Sequence, residues 1–132
     1  MSMTVTNNDT GNVILSNTQF EDGLLTFGAA GTIKGGTILA RDSVSGKYVP
    51  FVKGGTTNGN GVPKAVMTYD VVATAAGDKP IRPAIEGQFR LERLIIAADG
   101  NATNVDAAVR DLLRDYGLVS ISVKELGALD NQ

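Results

Sequence analysis

The chain has no cysteine, no histidine and no tryptophan. The first two absences exclude disulfides, thiol nucleophiles, thiolate metal sites and imidazole bases together. Catalysis would have to rest on carboxylates, Lys, Ser, Thr or Tyr. Aromatic residues are only 5% of the chain, so the core must be built from Val, Ile, Leu and Ala, and little ring surface is left for stacking on sugars. An excess of positive charge is also missing. Twelve basic side chains face fourteen acidic ones, for a formal charge of −2, and no run of Lys or Arg occurs. Such a balance offers no counterion-release drive for nucleic acid. No uninterrupted apolar run is long enough to cross a bilayer. The polar N-terminus lacks the charged and apolar regions of a signal peptide.

Catalytic templates fare no better. There is no Gly-x-Ser-x-Gly elbow and no Ser-x-x-Lys motif. The glycine-rich stretch 54–61 lacks the Gly-Lys-Ser/Thr ending of a phosphate-binding loop. Asp99-Gly-Asn101 matches a fragment of a calcium loop without the remaining ligands and reads as a turn. Glu86 and Glu92, taken on one extended strand, would lie roughly 20 Å apart, too far for a glycosidase pair. Arg90 and Arg93 read as partners for those carboxylates or for a neighbouring subunit, ahead of an anion site. No catalytic, cofactor-binding or metal-binding residue is assigned, and the chain is read as a protein without enzymatic activity.

What is present is a pattern of short strands in 132 residues, enough for one domain with a modest core. A chain of this size without disulfides often gains stability by oligomerising. Residues 1–20 are dominated by Ser, Thr, Asn and Asp and read as an extended N-terminal arm. The arm's few apolar residues are Val5, Val13, Ile14, Leu15 and Phe20. Residues 21–124 read as a β-rich domain, and residues 125–132 as a loose tail. Leu24 to Phe27, Thr37 to Arg41 and Tyr48 to Lys53 predict strands. Lys64 to Ala73 predicts the strongest one. Pro50, Pro80 and Pro83 place their segments at edges or bulges, because proline brings no ladder donor. Asn58-Gly59 and Asn60-Gly61 favour positive φ in a surface turn. Phe89 and Leu91 share one face of a strand by alternation.

One helix is expected. Val105, Ala108, Val109, Leu112, Leu113 and Tyr116 form an apolar stripe at three-four spacing. Thr103-x-x-Asp106 approximates a capping box, and Gly117 stands where a left-handed C-terminal cap belongs. Val119, Ile121 and Val123 then alternate with polar residues as a half-buried strand. The fold class is therefore mainly β with one short α-helix.

The order of these pieces resembles the head decoration proteins of lambda-like tailed phages. The resemblance runs over residues 37–123. It is carried by Gly36-Thr-Ile-Leu39, Ser45-Gly-Lys-Tyr-Val-Pro-Phe51, Val62-Pro-Lys-Ala-Val-Met67 and Gly87-Gln-Phe-Arg90, followed by the helix and Gly117-Leu-Val-Ser-Ile121. It implies a small β-tulip-like domain and a homotrimer on the outer surface of the capsid, made in the host cytoplasm. It also implies binding at three-fold and quasi-three-fold points after the shell expands during DNA packaging, which stabilises the head against internal pressure. The implied partners are the major capsid protein and a further copy of the chain, with no cofactor, no direct nucleic-acid contact and no membrane. The arm, with Val5, Val13, Ile14, Leu15 and Phe20, would contact the capsid protein. Tyr48, Phe51 and Tyr69 are candidates for the trimer interface. Competing readings are a tail or baseplate component, a virion-surface carbohydrate-binding module and a carboxylate-dependent hydrolase.

Overall fold

The computed structural model describes residues 13–122. Ten strands run β1 Ile14–Phe20, β2 Gly23–Phe27, β3 Gly31–Ile33, β4 Ile38–Arg41, β5 Tyr48–Pro50, β6 Pro63–Val66, β7 Val71–Ala73, β8 Gly77–Ile81, β9 Ala84–Arg90 and β10 Leu118–Ile121. A 3-10 turn, Leu91–Arg93, follows β9, and the helix α1 spans Ala107–Asp115. The fold is mainly β with one short helix, as the sequence predicts.

Eight strands form a curled sheet in the order β1-β9-β6-β4-β5-β2-β8, with β10 pairing parallel to β9. β3 and β7 make a separate antiparallel pair. The two central strands are buried on both faces. On β4, Ile38 joins one apolar cluster and Leu39 the other; on β6, Val66 and Ala65 divide the same way. That is why Ile38-Leu39-Ala40 is continuously apolar and does not alternate. The first cluster gathers Ile38, Val66, Phe89 and Leu118 under Val109 and Leu113 of α1. The second lies on the opposite side, around Leu25, Leu39, Tyr48 and Met67.

Several expectations are adjusted by tertiary context. The segment predicted as one strand from Lys64 to Ala73 is two, β6 and β7. The chain leaves the main sheet after Met67, and the Asp70 carboxylate accepts from the Gly35 amide at 2.8 Å as β7 turns toward β3. β8 ends the sheet beside β2, with Leu24 opposite Pro80, the edge that its proline requires. β5 is not an edge, but β2 meets it only at Leu25 and Tyr48, so Pro50 lies where a single neighbouring strand remains. β9 ends at Arg90, so Leu91 leaves the strand and packs on the first cluster from the 3-10 turn.

The helix starts one turn later than the capping box predicts. Asp106, not Thr103, is the N-cap, and its carboxylate accepts from the Val109 amide at 3.1 Å. Gly117 follows the C-cap Tyr116 with φ +81, as expected of a left-handed cap. Val105, Val109 and Leu113 are buried and Leu112 half-buried, whereas Ala108 and Tyr116 are exposed. The Lys64 ammonium sits 4.4 Å from the Tyr116 ring centroid, which covers part of that ring by a cation–π contact. In β10 the expected alternation is reversed over residues 118–121, and Val123 lies outside the described residues. Leu118 and Ser120 face inward, and Val119 and Ile121 are half-buried. The left-handed turn at Gly117 delivers Leu118 into the core beneath α1, and the two-residue period of a strand then carries Ser120 in with it.

Candidate interaction site at the end of β9

β9 is paired on both sides. β1 runs antiparallel to it, from Ile14 opposite Phe89 to Phe20 opposite Ala84. β10 runs parallel, from Leu118 opposite Gly87 to Ile121 opposite Arg90. An antiparallel strand begins where its partner ends, and a parallel strand ends where its partner ends. The start of β1 and the end of β10 therefore lie together, beside Phe89 and Arg90.

β1 is held there by more than its ladder. Val13, only 4% exposed, enters the first cluster, and Ile14 packs against it. The strand is irregular, with register shifts along its length and Asn17 at φ 51. Asparagine tolerates that left-handed geometry, which bulged strands use. Gly87 on β9 permits the close approach. A Cβ at that position would lie 2.9 Å from the Cα of Thr18, and its φ is +146.

An open cleft lies at the same end, lined by Val13, Lys34, Tyr69, Asp70, Glu92 and Arg93 among others. Ser122, the last described residue, donates to Glu92 Oε2 at 2.8 Å. Glu92 thus stands on the 3-10 turn and not on β9, so the extended-strand spacing to Glu86 does not apply. The cleft carries charges of both signs. Among the described residues, no group of three or more metal-ligating acidic side chains occurs, and no helix is long and apolar enough to cross a membrane.

The structure separates the residues singled out from sequence. Val13 and Tyr69 line one cleft. Tyr69 is 39% exposed, and its hydroxyl accepts from the Arg82 amide at 2.9 Å. Leu15 is half-buried and Phe20 lies exposed at the far end of β1. Val5 lies outside the described residues, as do residues 1–12 and the tail 125–132. Tyr48 and Phe51 are interior, 2% and 1% exposed, in the second and first clusters respectively. The Tyr48 hydroxyl accepts from Arg41 Nη2 at 2.8 Å, a bond that raises the arginine's pKa above its ordinary value. The cleft itself was not legible in sequence. Lys34, Asp70 and Arg93 come from three separate turns that only the sheet assembles.

Surface ion pairs among the described residues include Arg41–Glu21, Lys47–Asp78, Lys53–Asp106 and Arg82–Asp22. Exposed pairs of this kind contribute little stability. Their effect is on titration. The Asp78 carboxyl is held below its usual range first by the bond from Lys47 and then by that from Thr26. Asp106 is lowered first by Lys53 and then by the Val109 amide.

The described residues define a curled β domain capped by one helix. Residues 3–117 match the family of the bacteriophage lambda head decoration protein D, and the chain belongs to that family. The match spans β1 to β9 and α1, and it reaches into the N-terminal section that the sequence resemblance did not cover. β10 lies just past its end. Membership makes the chain a structural protein of a phage virion, associated with the capsid. No curated protein matches the chain.

Proposed function

We propose that this protein binds the outside of the expanded phage head as a homotrimer at three-fold and quasi-three-fold positions and stabilises the shell against the pressure of packaged DNA. Family membership is the observation that carries the reading. The geometry supports it in that the start of β1 and the end of β10 lie side by side, next to Phe89 and Arg90. In this reading residues 1–12, with Val5, bind the major capsid protein. Val13 and Ile14 root that segment in the core, Leu15 and Phe20 extend the contact along β1, and Tyr69 faces a neighbouring copy across the cleft. No enzymatic activity and no nucleic-acid or membrane contact enters the mechanism.

The physics is that of differential binding. A protein that binds only the expanded lattice shifts the equilibrium toward it by its difference in affinity for the two forms. Three terminal segments on one trimer bind with avidity, so each contact can be weak. An extended segment that adds a strand to an exposed sheet edge of the shell gains backbone hydrogen bonds. Apolar anchors must then offset the entropy of ordering it.

The test is co-sedimentation with decoration-free capsids, expanded and unexpanded, using the full chain and a variant lacking residues 2–12. Full-length protein should bind expanded shells alone and saturate near about three copies per three-fold site, and the truncated protein should remain folded and stay in the supernatant. Binding of the full chain to neither shell would overturn the reading. Equal binding by the truncated protein would remove residues 2–12 from it.

A further inference from the structure

Two Asn-Gly pairs stand in one surface loop, and the structure treats them differently. Asn-Gly is the dipeptide most open to intramolecular attack on an asparagine side chain, because glycine places no Cβ beside the attacking nitrogen. In isolation, Asn58-Gly59 and Asn60-Gly61 are chemically equivalent.

Asn58 and Gly59 are the central residues of a turn closed by Asn60 N donating to the Thr57 carbonyl at 3.0 Å. Both have positive φ, +48 and +79, the signature of a type I′ turn. Asn58 is exposed. Among the described residues its side-chain amide has no hydrogen-bond partner, and the Gly59 N–H donates to none. The turn is held further by the Asn58 carbonyl, which accepts from the Ser43 amide at 2.9 Å, and by the Gly59 carbonyl, which accepts from the Val62 amide at 3.1 Å. Space around Gly59 is ample, since a Cβ there would come no nearer than 3.4 Å to the Arg41 carbonyl oxygen.

Asn60 is locked. Its Oδ1 accepts from the Thr57 amide at 3.1 Å, and its carbonyl accepts from the Val52 amide at 2.8 Å. It is half-buried against Gly55. Gly61 is pressed on the Gly55 carbonyl, where even a Cβ would lie 2.2 Å from the oxygen. Bringing the Gly61 nitrogen to the Asn60 side chain therefore requires breaking the side-chain bond and displacing a packed backbone.

We propose that Asn58 is a site of spontaneous deamidation and that Asn60 is protected from it by the fold. The Gly59 nitrogen, having lost its proton to water, attacks Asn58 Cγ. A nitrogen–carbon bond forms, the Cγ–Nδ2 bond breaks, and ammonia leaves with a proton from solvent. Water then opens the five-membered imide at either carbonyl, leaving aspartate or isoaspartate. The sum is asparagine plus water giving a carboxylic acid plus ammonia, and no oxidant or reductant is needed. The product carries one more negative charge, next to the Asp42 turn that Ser43 joins to this loop. The isoaspartate form also adds a methylene to the backbone, which the type I′ turn and the Ser43 bond cannot both accommodate. In a virion, where no synthesis replaces the protein, the modified form accumulates with particle age.

The test follows the full-length protein in mildly alkaline buffer by peptide mass spectrometry, with isoaspartate located by electron-transfer fragmentation. A parallel sample is held in denaturant. Asn58 should deamidate at least roughly tenfold faster than Asn60 in the folded protein, the ratio supplied by about one additional hydrogen bond to be broken. The two sites should react at similar rates once unfolded. Equal rates in the folded state, a faster Asn60, or no change at Asn58 while the denatured sample reacts would each overturn the assignment. Asn58→Gly should abolish the modification while keeping the positive φ that the turn requires.

Discussion

Arg110 on α1 donates from Nε to the Ser120 hydroxyl at 3.0 Å and from Nη2 to the Ser120 carbonyl at 3.1 Å. This pair of bonds lets a serine occupy an inward position of β10 and ties the helix to the strand beside β9. A bond from a charged donor is worth about 1.5–3 kcal/mol. Ser120→Ala should therefore destabilise the domain by about 1.5–3 kcal/mol, read as a lower urea midpoint with an unchanged slope.

The helix is held mainly by its apolar stripe. Leu113 is buried against the first cluster, and truncating a buried leucine costs about 2–5 kcal/mol. Leu113→Ala should lose that much in equilibrium unfolding. Ala108→Ser, at an exposed position of the same helix, should change stability by less than about 0.5 kcal/mol.

Gly87 is the close-approach point between β9 and β1. Gly87→Ala places a methyl 2.9 Å from the Thr18 Cα at a φ that L residues avoid. β1 should separate from β9, with faster amide exchange in residues 14–20 and a loss of at least about 1–2 kcal/mol from the backbone conformation alone. Amide exchange and urea unfolding check the two halves of this expectation.

A deletion that reaches residue 20 should behave differently from one that stops at residue 12. Removing residues 2–20 takes away β1 and the core residue Val13 and uncovers one side of β9. The expected result is a destabilised, aggregation-prone domain, because an unpaired strand edge is then exposed. Circular dichroism melting of the two variants separates the outcomes.

Asp42, Asp78 and Asp106 all titrate below the usual aspartate range in the folded state. Asp42 does so through bonds from the Ser45 and then the Val44 amides, and the other two through Lys47 and Lys53 first. A depressed folded pKa contributes stability that is fully present above the unfolded value, about 3.9, and is lost as the pH falls through the folded values. The urea midpoint should therefore be flat near neutrality and fall below about pH 4. The double variant Asp78→Asn with Asp106→Asn should fall less steeply. Asparagine at 106 keeps an acceptor for the helix cap, so the change reports charge and not helix fraying.

The elements legible in the sequence were those specified by local chemistry. The stripe Val105, Val109, Leu113 and the glycine at 117 announce a helix and its end, because side-chain period and positive φ are properties of a few neighbouring residues. Pro80 announces an edge for the same reason, and the segment from Thr37 to Arg41 announces a strand, whose central place in the sheet only the structure shows. The ordered motifs from Gly36 to Ile121 carried the resemblance to the family that the chain proves to belong to. Tertiary structure decided the rest. Residues 14–20 are too polar to predict a strand, yet they become β1 because β9 offers an edge and Gly87 leaves room. Ser120 lies inward and Val119 half-buried because the turn at Gly117 sets the phase of β10, and Arg110, ten residues earlier on the helix, satisfies the buried serine. Lys64 to Ala73 divides because Asp70 captures an amide from the β3–β4 turn. The meeting of the start of β1 and the end of β10 beside Arg90 follows from pairing directions across long loops. Pairing partners of that kind are chosen by burial of the whole sheet, and no local stretch of sequence records them.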